Sequence, residues 1–109
     1  MDSPNAEITA EELHRRRTNG EAIVVIDVRN PYELDICRIA GSTPIPLNDL
    51  PMRMTELDPD GEIVVHCKMG GRSSQAASFL RGQGYRNVRN LTGGILAWID
   101  KIEPTMTKY

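Results

Sequence analysis

The sequence has 109 residues, with 13 Lys and Arg against 15 Asp and Glu, which gives a net charge of -2. A chain of this length can bury about two thirds of the surface that its unfolded form exposes. We therefore expect a single domain over residues 1–109, with a core at about residues 8–102 and short tails at 1–6 and 104–109. The nearly balanced charge argues against a general affinity for nucleic acid or anionic lipid, so we expect neither nucleic acid nor a membrane as partner.

Cysteine and histidine are rare in this chain. Cys37 and Cys67 lie far apart and form no CxxC pair, and the only histidines are His14 and His66. With so few soft ligands we expect no metal site. The chain has no signal-peptide pattern and no long apolar run, which predicts a cytoplasmic protein with reduced thiols. Cys37 is interpreted as a packed apolar residue and His66 as a buried strand residue that its neighbours satisfy.

Apolar periodicity and turn residues predict alternating helices and strands. The predicted elements are helix 10–18, strand 22–26, helix 31–35, short edge strand 43–47, a weak helix 49–56 interrupted near Pro51, strand 62–66, helix 73–83, strand 88–91 and helix 95–102. The first helix opens on a capping box at residues 9–12. Strands that alternate with helices at this spacing imply right-handed crossovers and an α/β fold with a mainly parallel sheet, covered by helices on both faces.

A cysteine follows directly after the predicted strand 62–66. In open α/β sheets the ligand site lies beyond the carboxyl ends of the strands, and Cys67 occupies that position. The segment that follows it contains Lys68, Met69, Gly70, Gly71, Arg72 and Ser73. Backbone N–H groups and the positive end of the next helix should converge on the sulfur, because the glycines permit a tight turn.

This loop predicts a stabilised thiolate at Cys67. A helix N-terminus and nearby cations favour the anionic form of a cysteine, and Lys68 and Arg72 supply the cations. We interpret Cys67 as a catalytic nucleophile that carries a persulfide, and residues 68–73 as the loop that binds substrate and persulfide. The alternative is an inert buried thiol at a strand end.

Four segments together resemble the rhodanese homology domain. They are DVRNPYE at 27–33, IAGS at 39–42, CKMGGRS at 67–73 and LTGGILAW at 91–98. The resemblance implies a five-stranded, mainly parallel sheet with helices on both sides, sulfur transfer through Cys67, and no cofactor beyond the covalent persulfide. It also implies that Arg29 and Glu33 steady the loop and that Arg72 pairs with a carboxylate. Asp27 belongs to the same surroundings or caps the strand end.

The chain is more specifically similar to the carboxy-terminal sulfurtransferase domain of adenylyltransferase and sulfurtransferase fusion enzymes. The features that carry this resemblance are the CKxGxRS form of the loop, Ala97-Trp98, the following Glu103-Pro104 and the final Tyr109. This resemblance implies that the acceptor is the C-terminus of a ubiquitin-like sulfur carrier, which an adenylating domain activates. The donor would be thiosulfate or the persulfide of a cysteine desulfurase.

Three other functions remain compatible with the same residues. A free-standing enzyme could transfer sulfur between small molecules such as thiosulfate and cyanide. A cysteine phosphatase or arsenate reductase has one residue more between its Cys and Arg than the four that separate Cys67 from Arg72 here. A non-catalytic rhodanese-like binding or regulatory module usually lacks the cysteine, whereas this chain has it.

Overall fold

The computed structural model describes residues 6–109, in which five parallel strands lie between two layers of helices. The strands are β1 Glu7–Ile8, β2 Ile23–Asp27, β3 Thr43–Pro44, β4 Glu62–His66 and β5 Val88–Leu91. The helices are α1 Ala10–Thr18, α2 Pro31–Leu34, α3 Leu50–Arg53, α4 Gly71–Gly82 and α5 Gly94–Lys101. Short 3₁₀ turns at Leu47–Asp49 and Met54–Glu56 flank α3.

The order of the strands in the sheet is β1-β5-β4-β2-β3, and every pair is parallel. The expected α/β fold with a five-stranded parallel sheet is therefore confirmed. In the register between β2 and β4, Asp27 is opposite His66, so both strands end at the same edge of the sheet. This edge carries Cys67, the residue after β4.

The hydrophobic core lies on both faces of the sheet. Successive side chains of a strand point to opposite faces, so Val64 and Val65 of β4 belong to different clusters. The cluster that contains Val65 includes Ala76, Ala77 and Leu80 of α4. The cluster that contains Val64 packs against α1 and α5 through Leu13, Ile95, Trp98 and Ile99. Strands that are buried on both faces explain the continuous apolar runs in the sequence.

The structure differs from the predicted elements mainly at the two outermost strands of the sheet, β1 and β3. Strand β1 was not predicted, because two residues are too short to show a hydrophobic period. The predicted strand 43–47 is reduced to β3, although the amides of Ile45 and Leu47 still donate to the carbonyls of Asp27 and Val28. Pro44 and Pro46 have no N–H to donate, which prevents a longer ladder. The predicted helix 49–56 divides into the 3₁₀ turns and α3.

The end of the chain is packed rather than a free tail. Met106 and Tyr109 lie against the cluster on the α1 and α5 side of the sheet. Most of the tail expected at residues 1–6 lies outside the described residues, but Ala6 is buried and its carbonyl accepts from the Asn90 amide at 2.8 Å. No helix within residues 6–109 has the length and apolar character that crossing a membrane requires.

Candidate active site

The Cys67 loop joins β4 to α4 at the carboxyl edge of the sheet. Cys67 is only 1% exposed, and its Sγ accepts from the Gly70 amide at 3.1 Å and from the Ser73 hydroxyl at 3.3 Å. Gly70 has φ +118°, a left-handed conformation that glycine adopts without strain. Helix α4 begins at Gly71, two residues earlier than predicted. The loop therefore turns its donors inward onto the sulfur, as the sequence predicted.

The pKa of the Cys67 thiol is lowered. Burial is the largest single influence and raises this pKa, but hydrogen bonds from the Ser73 hydroxyl and from the amides of Ser73, Gly70 and Met69 together outweigh it. These donors satisfy a thiolate better than a thiol, because the anion accepts several hydrogen bonds. The described geometry thus favours a nucleophilic sulfur in a nearly closed loop.

The two cations of the loop have partners of their own. Arg72 donates to both carboxylate oxygens of Glu33, at 2.6 and 2.9 Å. The ammonium of Lys68 lies 4.6 Å from the centre of the Tyr109 ring. Hydrogen bonds, rather than these cations, are the main cause of the lowered pKa of Cys67. Lys68 and Arg72 therefore contribute less to the lowered pKa than expected from the sequence.

Met69 and Gly71 complete the segment 68–73 that was predicted to bind substrate. Met69 is 69% exposed and forms part of the outer rim of the loop. A Cβ at Gly71 would meet nothing within 4 Å, so this glycine borders open space. Met69 and Gly71 therefore lie on the exposed side of the loop.

The N-terminus of α5 supports the loop from behind. The amides of Ile95 and Leu96 donate to the carbonyls of Cys67 and Lys68, at 2.9 and 3.2 Å. Gly94 has φ +62°, and a Cβ on it would overlap the Lys68 carbonyl and lie 2.7 Å from the Cys67 carbonyl oxygen. Gly94 therefore packs directly against the backbone of the Cys67 loop.

Asn90 is a site residue that sequence reasoning missed. Its Oδ1 accepts from the Ser73 hydroxyl at 2.5 Å, and its Nδ2 donates to the Gly70 carbonyl at 3.3 Å and to Glu7 at 3.1 Å. Because a hydroxyl has one proton, Ser73 donates to either Asn90 or Cys67 at one time. An asparagine inside a buried strand was the signal in the sequence.

Glu33 lies beside the loop, and its contacts with Arg72 agree with the expected ion pair. The carboxylate is 2% exposed and also accepts from the Tyr109 hydroxyl at 2.6 Å and from the Asn30 amide at 3.0 Å. The Arg72 guanidinium, with help from the other two donors, lowers the pKa of Glu33 to about 2. Glu33 is therefore an anion that holds Arg72 in place.

Arg29 does not contact the Cys67 loop directly, although the sequence predicted that it would. It is fully buried and donates to Asp27 through Nε at 2.9 Å and through Nη2 at 2.7 Å. Its other contacts are with the Cys37 and Glu33 carbonyls, the Cys37 sulfur and the Tyr109 hydroxyl, rather than with residues 67–73. Arg29 thus organises α2 and the chain end, and reaches the loop only through Tyr109 and Glu33.

His66 and Cys37 are both buried near these residues. The His66 Nδ1 lies 3.3 Å from the Cys67 carbonyl oxygen, but its Nε2 has no hydrogen-bond partner and is 3.5 Å from Asp27 Oδ2. The neighbours therefore satisfy only one of its nitrogens, and burial lowers the pKa of His66. Cys37 is 7% exposed and belongs to the core, as expected. Within residues 6–109, no group of three His, Cys, Asp or Glu side chains is arranged to hold a metal.

The chain is similar to known proteins over nearly its whole length. The family model described as Rhodanese-like domain matches residues 9–101. A sulfurtransferase of Allochromatium vinosum is 39% identical over 92 residues, which are 84% of this chain and 86% of that protein. The probable adenylyltransferase/sulfurtransferase MoeZ of Mycobacterium tuberculosis is 36% identical over 104 residues, or 94% of this chain but only 26% of MoeZ.

A solved structure gives the same result. The crystal structure of a rhodanese-related protein from Thermoplasma volcanium superimposes with a TM-score of 0.81 and 36% sequence identity, covering 90% of this chain and 94% of that one. The family match, the parallel sheet and the cysteine loop agree with one another. The chain belongs to the rhodanese-like domain family and is a rhodanese-type sulfurtransferase.

Proposed function

We propose that Cys67 is the nucleophile of this sulfurtransferase and carries the transferred sulfur as a persulfide. The observation that supports this most is the position of its sulfur, which accepts from the Gly70 amide and the Ser73 hydroxyl at 3.1 and 3.3 Å. Its lowered pKa provides the thiolate that attack on sulfur requires. A preformed thiolate needs no separate general base.

With thiosulfate as donor, the reaction proceeds in two displacements at sulfur. The Cys67 thiolate attacks the outer sulfur of thiosulfate, the S–S bond of the donor breaks, and sulfite leaves with the electron pair. The persulfide remains on the enzyme. A nucleophile such as cyanide then attacks the outer sulfur and leaves as thiocyanate, and the Cys67 thiolate is regenerated.

Each residue around the sulfur has a role in this proposal. The amides from Met69 to Ser73 hold the persulfide anion, and Lys68 and Arg72 attract anionic donors. Gly70 allows the tight turn of the loop, and Gly71 leaves space on its outer side. Glu33 binds Arg72. Arg29, which is paired with Asp27, donates to the Glu33 carbonyl of α2.

We further propose that the physiological acceptor is the C-terminus of a ubiquitin-like sulfur carrier. The similarity to MoeZ supports this, although the chain spans about a quarter of that protein. The persulfide would attack the carrier's acyl adenylate, which releases AMP and leaves an acyl disulfide on Cys67. A small-molecule thiol then attacks the Cys67 sulfur of this disulfide, which releases the carrier as a thiocarboxylate and leaves a mixed disulfide on Cys67. A further thiol displaces the first one and restores the Cys67 thiolate. An adenylating domain and a donor such as a cysteine desulfurase complete the pathway.

The second candidate is sulfur transfer between small molecules. The similarity to the Allochromatium vinosum sulfurtransferase supports it, because that protein is covered over 86% of its length and so resembles this chain as a whole. Residues 1–109 would then act alone as one domain. A reducing compartment such as the cytoplasm suits both candidates, because Cys37 and Cys67 are free thiols.

The role of Cys67 is tested by intact-mass measurement after incubation with thiosulfate, then with cyanide. The wild type should gain the mass of one sulfur atom and lose it to cyanide, whereas Cys67→Ser should gain none. Cys37→Ser is the matched control and should behave as the wild type. Sulfur uptake or thiocyanate formation by Cys67→Ser at the wild-type rate would refute the proposal.

The two candidate acceptors are separated by one further experiment. Persulfidated protein is mixed with an adenylated sulfur carrier and a thiol reductant, and the carrier is examined for a C-terminal thiocarboxylate. Formation that depends on Cys67 supports the carrier proposal. If thiosulfate and cyanide are turned over but no carrier from the same genome is modified, the small-molecule function replaces it.

A further inference from the structure

Tyr109, the last residue of the sequence, lies beside the Cys67 loop. Its ring faces the Lys68 ammonium at 4.6 Å, and the Arg29 guanidinium lies 5.7 Å from the ring centre. Its hydroxyl donates to Glu33 at 2.6 Å and accepts from Arg29 at 2.9 Å. One aromatic side chain thus contacts two cations and a carboxylate.

The hydroxyl of Tyr109 is matched to both of its partners. Burial, and then the Glu33 carboxylate, raise the pKa of Tyr109 to about 12, so the phenol keeps its proton at neutral pH. That single proton points to Glu33, and an oxygen lone pair is left for Arg29. The bridge therefore joins the buried Asp27–Arg29 pair to the Glu33 carboxylate.

Through these contacts Tyr109 is connected to both cations of the Cys67 loop. It touches Lys68 directly through the ring. It reaches Arg72 through Glu33, which receives hydrogen bonds from Arg72 and Tyr109 on the same oxygen, Oε2. A long side chain such as lysine has many rotamers, and an aromatic face that holds its ammonium reduces them.

We propose that Tyr109 is a positioning residue that directs Lys68 and Arg72 toward incoming anions and so sets the preference of the site for highly charged sulfur donors. The inference rests on the proposed role of Cys67. Tyr109 does not touch the reacting sulfur. It acts by holding the charged groups of Lys68 and Arg72 beside the Cys67 loop, whose thiolate is already stabilised by hydrogen bonds.

The test compares two donors that differ in charge. Thiosulfate is a dianion, whereas benzenethiosulfonate is a monoanion that transfers its outer sulfur and leaves as benzenesulfinate. Tyr109→Phe keeps the ring and removes the bridge to Glu33 and Arg29, and Tyr109→Leu removes both. We expect KM for thiosulfate to rise about threefold in Tyr109→Phe and about tenfold in Tyr109→Leu, with a smaller effect for benzenethiosulfonate.

Tyr85→Phe is the matched control. The Tyr85 hydroxyl donates to the Met54 carbonyl at 2.6 Å, so this variant also loses a tyrosine hydrogen bond, but one that involves neither Lys68, Arg72 nor Glu33. It should leave the ratio of kcat/KM for the two donors unchanged. If Tyr109→Leu lowers kcat/KM equally for both donors, its role is only structural and the inference is wrong.

A double-mutant cycle with Lys68→Met tests the proposed route. Because Tyr109 acts through Lys68, the effect of Tyr109→Leu on the donor ratio should be reduced at least about threefold when Lys68 is already methionine. Additive effects of the two substitutions would mean that the ring does not act on Lys68, and would overturn the inference.

A last measurement does not depend on sulfur transfer. Cys67 is alkylated by iodoacetate, an anion, and by neutral iodoacetamide, in a Cys37→Ser background, and the rate ratio is determined. Tyr109→Leu should lower the iodoacetate to iodoacetamide ratio severalfold, and an unchanged ratio would contradict the inference. Failure of the wild type to form a persulfide would instead refute the proposed function, so the two failures are distinguishable.

Discussion

At the scale of single residues, the properties of Cys67 follow from hydrogen bonds within its own loop. Burial opposes ionisation of a thiol, yet the pKa of Cys67 is lowered because the Ser73 hydroxyl and nearby amides point at the sulfur. The flanking cations are occupied by Glu33 and the Tyr109 ring. We infer that the amides and the hydroxyl stabilise the sulfur anion, while the cations act on molecules that approach it.

This division of roles predicts the pH dependence of alkylation. Because the pKa of Cys67 is lowered, the thiolate should form below the ordinary cysteine pKa of about 8.5, and the rate of alkylation by iodoacetamide should rise through this lower pH. Ser73→Ala removes the hydrogen bond that lowers the pKa of Cys67 most, so it should raise the midpoint of the alkylation profile. Mass spectrometry in a Cys37→Ser background measures it, and equal midpoints would show that Ser73 does not stabilise the thiolate.

Glu33 predicts a loss of stability in acid. The pKa of Glu33 is about 2 in the folded protein, against an ordinary value of 4.5. A carboxylate with a lowered folded pKa stabilises the fold above the unfolded pKa, and this contribution is lost as pH falls from about 4.5 to about 2. Glu33→Gln should therefore cost about 2 kcal/mol at pH 7, less than a fully buried pair because Arg72 is partly exposed.

Urea unfolding at several pH values checks this prediction. The difference between wild type and Glu33→Gln should shrink as the pH falls below 4.5. Glu56→Gln removes a surface pair with Arg53 and should change stability little. A constant difference between wild type and Glu33→Gln across this range would show that ionisation of Glu33 does not stabilise the fold.

At the scale of elements, the site depends on two helix N-termini that meet at one strand end. Helix α4 begins three residues after Lys68 and brings Ser73 to the sulfur, whereas α5 donates amides to the carbonyls behind it. The strand β4 cannot continue through Cys67, because the next carbonyls are bound by α5 instead of a neighbouring strand. The loop is therefore held from both sides by backbone contacts.

These contacts predict that Gly94 is indispensable. Gly94→Ala would force a left-handed conformation on alanine and push a methyl group into the Lys68 carbonyl. We expect a loss of about 3 kcal/mol or more in the free energy of unfolding, together with reduced sulfur transfer at temperatures where the protein stays folded.

The matched control is Gly82→Ala in α4. A Cβ at Gly82 would meet nothing within 4 Å, and alanine favours helix more than glycine does. This variant should be as stable as the wild type or more stable, with unchanged activity. If Gly94→Ala is equally well tolerated, close packing of α5 does not hold the loop.

At the scale of the whole molecule, Lys68 and Arg72 lie together in the Cys67 loop of a chain whose net charge is -2. The parallel sheet gathers the carboxyl ends of β2 and β4 at one edge, so α2 and the Cys67 loop become neighbours. The packed chain end then brings Tyr109 beside Lys68. Anions should consequently be attracted to this edge although the molecule as a whole is slightly acidic.

Attraction of the donor by Lys68 and Arg72 predicts a salt dependence of donor binding. The screening length falls from about 30 Å at 0.01 M salt to about 3 Å at 1 M, so KM for thiosulfate should rise severalfold across this range. Lys68→Met should give a smaller rise. Alkylation by uncharged iodoacetamide serves as control and should vary little with salt. A KM that is independent of salt would mean that Lys68 and Arg72 do not attract the donor.

The sequence by itself determined the features that depend on neighbouring residues. We could predict the order of the main helices and strands, the parallel sheet and the Cys67 loop. Each of these leaves a signal within a short segment: a hydrophobic period, a pair of glycines or the start of a helix. The loop was predictable because its donors follow Cys67 within six residues. The two-residue strand β1 could not be predicted, since it forms only by pairing with β5.

Only the tertiary structure decided how the rest of the chain completes the site. Asn90 is 17 residues from Ser73, and Tyr109 is 76 residues from Glu33, so neither contact leaves a local pattern. Arg29 is close to Glu33 in sequence, yet its guanidinium turns toward Asp27, Cys37 and Tyr109 rather than the loop. The physical reason is that side-chain direction and long-range packing depend on which elements share one edge of the sheet, and that arrangement exists only in the folded chain.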